Sequence, residues 1–328
     1  MKPIIYLRGN GGSGIGWGHI SRLLALREIL KPEFAVTMVV PPACIPLLQK
    51  AGLQSADFLQ VPESEMADFA VDFAGIPGLG NMLVLDGYTF DTVYRENAMK
   101  AGFRLVLIDD FARGDLHCDL LINHAPASET LYGRHTEIGR YCCGTDYALL
   151  RPDFYSALPG TMRDPDTVLL SMGGADPDDL SFTLLSELML AFPELKWHLV
   201  LTSSFRQDHV RQLLQLQKNN PCLELHHDLD VQAMRSLMLR CQWALLAAST
   251  VVMEAWASGL FPAALCYTEN QLNLFRGAVA RHMAFGLDIR DASVSFRAYL
   301  TGLHEPLTRY PDWNPPEKLR NEFRALAA

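Results

Sequence analysis

Several features that would point to other kinds of protein are missing from this sequence. No window approaches the roughly 20 consecutive apolar residues of a membrane-spanning helix. The opening "MKPIIYLRG" breaks into charge and glycine too soon for a signal peptide. Basic residues are not in excess: a formal charge of −9 offers no surface for neutralising a nucleic-acid backbone. A small anion remains admissible, since local backbone dipoles hold one whatever the net charge. The seven cysteines lack zinc-finger spacing, with Cys142 and Cys143 adjacent and the rest scattered. Reduced thiols in a cytoplasmic protein, with no metal and no cofactor, are the expectation.

What is present is the composition of a globular protein, 49% hydrophobic and 20% charged. At 328 residues the chain suits two domains, expected over 1–155 and 156–328. Short apolar runs alternate with helical ones. "PIIYL", "FAVTMVV", "MLVLD" and "RLVLIDD" read as strands; "HISRLLALREIL", "ACIPLLQKA" and "DTVYRENAMKA" read as helices. The second half repeats the plan with strands at "TVLLSM", "WHLVLT", "CLELHH", "WALLAA" and "PAALCY". Its helices are expected at Leu180–Leu190, Gln207–Gln217, Val231–Leu239, Val251–Ser258 and from Gln271. Nearly unbroken apolar strands are those covered by helices on both faces, so each half is predicted to be a doubly wound parallel sheet. The proline-rich "LRPDFYSALPGTMRDPD" is the expected linker, and "PPEKLRNEFRALAA" a final helix able to pack on either domain. Two such α/β domains, Rossmann-like, are expected to face each other across a cleft.

Ligands of these sheets sit beyond the carboxyl ends of the strands, so the strand-to-helix loops are the places to search. The first is "GNGGSGIGWGHISR", Gly9 to Arg22. Glycines such as Gly16 and Gly18 let backbone approach a ligand, and a helix start offers free N–H groups. The pattern fits a dinucleotide fingerprint only loosely. The next strand ends in "VVPP", without an acidic residue for a ribose diol. His19 would stand in the first helical turn, where the positive dipole end favours neutral imidazole, a form able to take a proton from water; it also reads as a capping or packing residue. Tyr88 and the pair Asp109–Asp110 follow strand ends, with structural roles equally open to them.

In the second half, Gly173 and Gly174 permit close backbone approach, and Asp176 suits helix capping. Ser249 and Thr250 would cap a helix and present amides to a phosphate. Glu254, a turn further on and flanked by apolar residues, has no capping-box partner and is a candidate for a ribose diol. Asn270 and Gln271 either bond phosphate or sugar hydroxyls or cap the next helix.

Taken in order, "IGWGHISRLLAL", "LDGY", "LIDDF", "HCDLLIN", "YALLRPDF", "SMGGADPDDLS", "AASTVVMEA" and "CYTENQ" resemble the PseG family of UDP-sugar hydrolases across nearly the whole chain. The resemblance implies the two-domain GT-B fold. It implies hydrolysis of UDP-2,4-diacetamido-2,4,6-trideoxy-β-L-altrose to UDP and free sugar, in pseudaminic acid biosynthesis. The family's catalytic histidine corresponds to His19, its active-site tyrosine to Tyr88, and its nucleotide-binding helix to Ser249, Thr250 and Glu254. Two positions depart from the pattern. Asn10 stands where an acidic residue is common, and Met253 where some members carry a polar one. A GT-B glycosyltransferase with a UDP-sugar donor and a non-catalytic nucleotide-sugar-binding protein are the alternatives. The only partner expected is a small-molecule UDP-sugar, without nucleic acid or membrane insertion; the oligomeric state is open, a monomer being compatible.

Overall fold

The computed structural model describes residues 3–12, 16–133, 135, 137–156, 162–174, 176, 178–302 and 314–328. Ser13–Ile15 of the glycine loop, Pro177 and part of the expected linker therefore lie outside the described residues. The chain divides into two compact units. One is Met1–Pro152 with Asn314–Ala328; the other is Asp153–Trp313.

In the first unit the apolar runs form parallel strands β1 (Ile4–Gly9), β2 (Ala35–Val40), β3 (Phe58–Gln60), β4 (Met82–Asp86), β5 (Arg104–Ile108), β6 (Cys118–Asn123) and β7 (Ile138–Cys143), in sheet order β3-β2-β1-β4-β5-β6-β7. Helices α1 (Gly18–Leu30), α2 (Ile45–Lys50), α3 (Phe69–Asp72) and α4 (Thr92–Lys100) connect them. Ile5, Leu7, Val84, Val106 and Leu120 pack on one face against Ile20, Leu23 and Leu26 of α1. Tyr6, Leu83, Leu85, Leu105 and Leu121 pack on the other. Burial on both faces is why these strands read as unbroken apolar runs.

The second unit repeats the plan with β8 (Asp164–Ser171), α5 (Leu180–Ala191), β9 (Lys196–Leu201), α6 (Gln207–Asn219), β10 (Leu223–His227), α7 (Val231–Arg240), β11 (Cys241–Ala247), α8 (Thr250–Ala257), β12 (Ala263–Leu265), α9 (Leu272–Ala280), β13 (Phe285–Gly286) and α10 (Ala292–Thr301). Its sheet is again parallel, in order β10-β9-β8-β11-β12-β13. Among the described residues no helix is long and apolar enough to cross a membrane.

One sequence expectation is corrected. The last helix, α11 (Pro315–Ala327), does not belong with the preceding residues of the second half. Its fully buried Leu319 and Phe323 join the core of the first unit beside α1. Arg324 pairs with Glu33, and Arg140 with Glu322, along the same seam.

Both sheets reverse strand order once, between β1 and β4 and between β8 and β11. At such a point adjacent loops diverge to opposite faces and leave a crevice at the strand ends. Four sequence-selected loops flank these two points.

Candidate active site and anion-binding loops

His19 lies in the first turn of α1, just past β1, and Asp86 is the last residue of β4. They flank the reversal point of the first sheet. His19 Nδ1 is 2.7 Å from Asp86 Oδ1, and both side chains are buried. The carboxylate fixes the imidazole proton on Nδ1 and leaves Nε2 as the basic nitrogen. Arg22, one turn along α1, donates Nε to Asp86 Oδ2 at 3.0 Å and Nη2 to Asp86 Oδ1 at 2.6 Å. Its Nη2 is 3.0 Å from His19 Nδ1 because both donors converge on one carboxylate oxygen.

Arg22 also donates Nη1 to Asp110 Oδ1 at 2.6 Å and Nη2 to Asp110 Oδ2 at 3.0 Å. Burial alone would raise the Asp110 carboxyl, but the charge and hydrogen bonds of Arg22 outweigh it and hold Asp110 well below the usual range. Burial likewise opposes the Arg22 charge, while Asp110 and Asp86 keep the guanidinium firmly protonated. Two carboxylates against one guanidinium give Asp86, Asp110 and Arg22 a net charge of −1 beside the imidazole.

Tyr88 stands over this cluster. Its ring meets the His19 ring edge-on at 4.7 Å, its hydroxyl donates to Asp110 Oδ2 at 2.9 Å, and it is half exposed. Asp109 takes a different role from its neighbour, accepting from the Tyr132 hydroxyl and the Ala112 N–H. His124, beyond β6, is buried, and its Nδ1 accepts from Leu149 N. Burial, seconded by the Arg22 charge, pushes its pKa down to about 4, so it is neutral at pH 7.

Two glycines allow this arrangement. A Cβ on Gly9 would lie 2.5 Å from Leu23 Cδ1 and 3.1 Å from Asp86 O, so α1 seats closely against β4 only without one. Gly16 has a φ of 81° and exchanges backbone hydrogen bonds with Gly12, closing the glycine loop on itself. Gly18 is exposed and begins α1, and no side chain caps that helix. Asn10 is buried, and its amide accepts from Arg8 and donates to Thr89 Oγ1 at 2.7 Å, next to Tyr88. Arg8 in turn pairs with buried Asp72 at 2.8 Å. Asn10 is thus a neutral link between β1 and the Tyr88 loop, and Asp72 supplies the charge that Arg8 needs.

In the second unit, Gly173 has a φ of 78°, and a Cβ there would stand 3.3 Å from Ser249 Oγ. The loops after β8 and β11 therefore meet at the reversal point. Gly174 is held by its carbonyl, which accepts from Thr202 Oγ1 at 2.7 Å. Asp176 turns to α5, accepting from Leu180 N and Ser181 N at 2.8 Å each. Ser249 occupies the N-cap position of α8, yet its side chain makes no capping bond. The capping role expected of that hydroxyl is therefore not realised; it stands beside Gly173 instead. Thr250 begins α8, and Glu254 is half-buried one turn along it, next to fully buried Met253. Asn270 Oδ1 accepts from Thr268 Oγ1 at 2.7 Å, and Gln271 Oε1 from Tyr267 N at 3.0 Å. Their acceptor oxygens close the turn after β12.

Sequence reading selected His19 and Tyr88 but gave no role to Asp86, Arg22 or His124. The signal was a carboxylate ending an otherwise apolar strand, and an arginine three residues after the histidine on one helical face.

A scan against protein-family models finds no match. The UDP-2,4-diacetamido-2,4,6-trideoxy-beta-L-altropyranose hydrolase of Campylobacter jejuni is 28% identical over 281 residues, covering 81% of this chain and 93% of that protein. Among solved structures, the S. aureus MnaA–UDP co-structure superposes with a TM-score of 0.69 at 12% identity, over 99% of this chain and 96% of that one. The calicheamicin glycosyltransferase CalG4 superposes with a TM-score of 0.67 at 13% identity, over 99% and 98%. At such identities the superpositions speak for fold alone. This chain is thus similar in sequence to the Campylobacter jejuni UDP-sugar hydrolase, and its fold is of the two-domain GT-B type.

Proposed function

We propose that this protein is a nucleotide-sugar hydrolase that cleaves UDP-2,4-diacetamido-2,4,6-trideoxy-β-L-altrose to UDP and the free sugar by attack of water at the anomeric carbon. The observation that carries the proposal is the His19–Asp86 pair at 2.7 Å, beside the strand-order reversal. The similarity to the Campylobacter hydrolase supports the substrate.

In this reading Nε2 of His19 takes a proton from water as its oxygen bonds to C1. The C1–O bond to the diphosphate breaks with inversion, and UDP leaves with the electron pair. Asp86 keeps the Nδ1 proton and the ring orientation, and the −1 cluster stabilises the imidazolium. Tyr88, fixed by Asp110, orients sugar or water. UDP is assigned to the second unit. Its phosphates would lie on amides at Gly173, Gly174 and the uncapped start of α8 at Ser249 and Thr250, which stabilise the leaving charge. Ribose is assigned to Glu254.

The test is UDP release from the diacetamido UDP-sugar with no acceptor alcohol present. General-base assistance is worth about 10²–10⁴ in rate. Turnover by the native chain and its loss by that factor in His19→Ala are expected. Turnover only after an acceptor is added would favour a glycosyltransferase, and UDP-sugar binding without turnover a binding protein.

A further inference from the structure

Three chemistry-bearing side chains lie apart from both reversal points, on the outer strands of the second sheet. "KWHLVL" forms β9 and "LELHH" forms β10, and the parallel register sets Glu224 opposite His198. His226, two residues beyond Glu224, shares its face of the pleated strand. His198 Nδ1 is 3.1 Å from His226 Nε2 and 3.2 Å from Glu224 Oε2, and His226 Nε2 is 3.7 Å from Glu224 Oε1. Among the described residues this is the group of His, Cys, Asp and Glu side chains close enough to share one ion.

We propose that His198, Glu224 and His226 form a binding site for a divalent first-row transition metal ion, with zinc as the occupant. Ligand atoms bonded to one zinc ion at about 2.0–2.2 Å stand roughly 3–3.7 Å from one another, the spacing found here. Two imidazoles and one carboxylate suit zinc, cobalt and nickel, and not calcium or magnesium, which demand oxygen. The carboxylate spans the rings, one oxygen toward each, and solvent completes the coordination.

Two further observations agree. His198 is buried and its ring lies at 40° to that of His226, so the imidazole donors are preset along the sheet, with Glu224 exposed beside them. The ligands lie along the strands, not in the loops beyond their carboxyl ends where such sheets bind substrates. The ion would therefore fasten the edge strand β10 to β9. A cation stands nearby: Arg240 Nη2, on an exposed residue, is 3.4 Å from His198 Nδ1. It would turn to solvent when the ion binds. Cysteine spacing gave no sign of such a site because its ligands come together across strands and contain no thiol.

The test uses the full-length chain, stripped of metal by a chelator and titrated with cobalt(II) and zinc(II). Visible absorption reports the cobalt site, and a chromophoric competitor reports zinc affinity. One equivalent of tight binding is expected, with a rise in Tm as zinc exceeds its Kd. His226→Ala should weaken that equivalent by about tenfold or more. Glu224→Gln, at an exposed carboxylate that leaves the fold intact, should do the same. Arg240→Ala should tighten it several-fold by removing a cation beside the ion. Equal stoichiometry, affinity and Tm response in the native chain, His226→Ala and Glu224→Gln would overturn the proposal, as would absence of binding. UDP release plays no part in this test, so its outcome is independent of the proposed reaction.

Discussion

Replacing Asp86 by asparagine keeps the shape of the side chain and removes its charge. In the native cluster Asp86 is fully buried, 2.7 Å from His19 Nδ1 and 2.6 Å from Arg22 Nη2. Unit charges about 4 Å apart at an effective dielectric of roughly 20 attract by about 4 kcal/mol. That is the support an imidazolium at His19 would lose, while Arg22 retains Asp110. Since 1.36 kcal/mol is tenfold in rate, kcat should fall by about 10³. Stability should fall by less than the about 3–5 kcal/mol of a broken buried pair, because Arg22 keeps its bidentate pairing with Asp110. The assay is steady-state UDP release, with UDP affinity measured separately by calorimetry and folding by urea titration. The expected result is a folded variant that binds UDP normally and turns over about 10³-fold more slowly. A folded Asp86→Asn protein within tenfold of native kcat would refute the view that this carboxylate supports the base.

Other outcomes follow from the same geometry. Tyr88→Phe keeps the ring contact with His19 and removes the donor to Asp110, so turnover should drop about tenfold, with Tm nearly unchanged because the residue is half exposed. A native Tyr88→Phe rate would remove the hydroxyl from the mechanism. Gly9→Ala forces a methyl group against Leu23 and Asp86 O, so α1 must shift from β4. A loss of about 1–3 kcal/mol in urea unfolding, together with lower kcat, is expected. Burial holds folded His124 at about 4 against an ordinary value of 6.5, so the folded chain binds fewer protons than the unfolded one between those values. Its contribution is present above pH 6.5 and is lost as pH falls toward 4, by about 3 kcal/mol. Urea titrations at pH 7 and pH 4.5 should show this loss, and His124→Gln should reduce it.

Much of the fold could be read from residue order because both sheets are buried on both faces. "MLVLD" coincides with β4 at Met82–Asp86, and the helix starting at Leu180 ends at Ala191. Strands β6 and β7 and the short helix α3 were not read as elements from the sequence, although β6 is apolar and buried, and the other missed elements have weak patterns. Strand β13 has two residues, β3 three half-exposed ones, and α10 lies beyond the last strand that sequence could place. Where α11 packs was not legible, since its apolar face at Leu319 and Phe323 fits any exposed core. The site was half legible for a similar reason. A histidine at a helix start stands out locally, whereas the carboxylate that orients it lies 67 residues away and becomes its neighbour only through the β1–β4 pairing. Ser249 misled because capping is a local rule, and here the hydroxyl stands beside Gly173 without capping α8.

The central claim is that water, activated at His19, attacks the sugar carbon and not phosphorus. Reaction of the diacetamido UDP-sugar in ¹⁸O-water, without acceptor and followed by mass spectrometry of both products, tests it most directly. The account predicts one labelled oxygen in the free sugar and none in UDP. Label in the UDP phosphate, or no turnover until an acceptor alcohol is supplied, would contradict it.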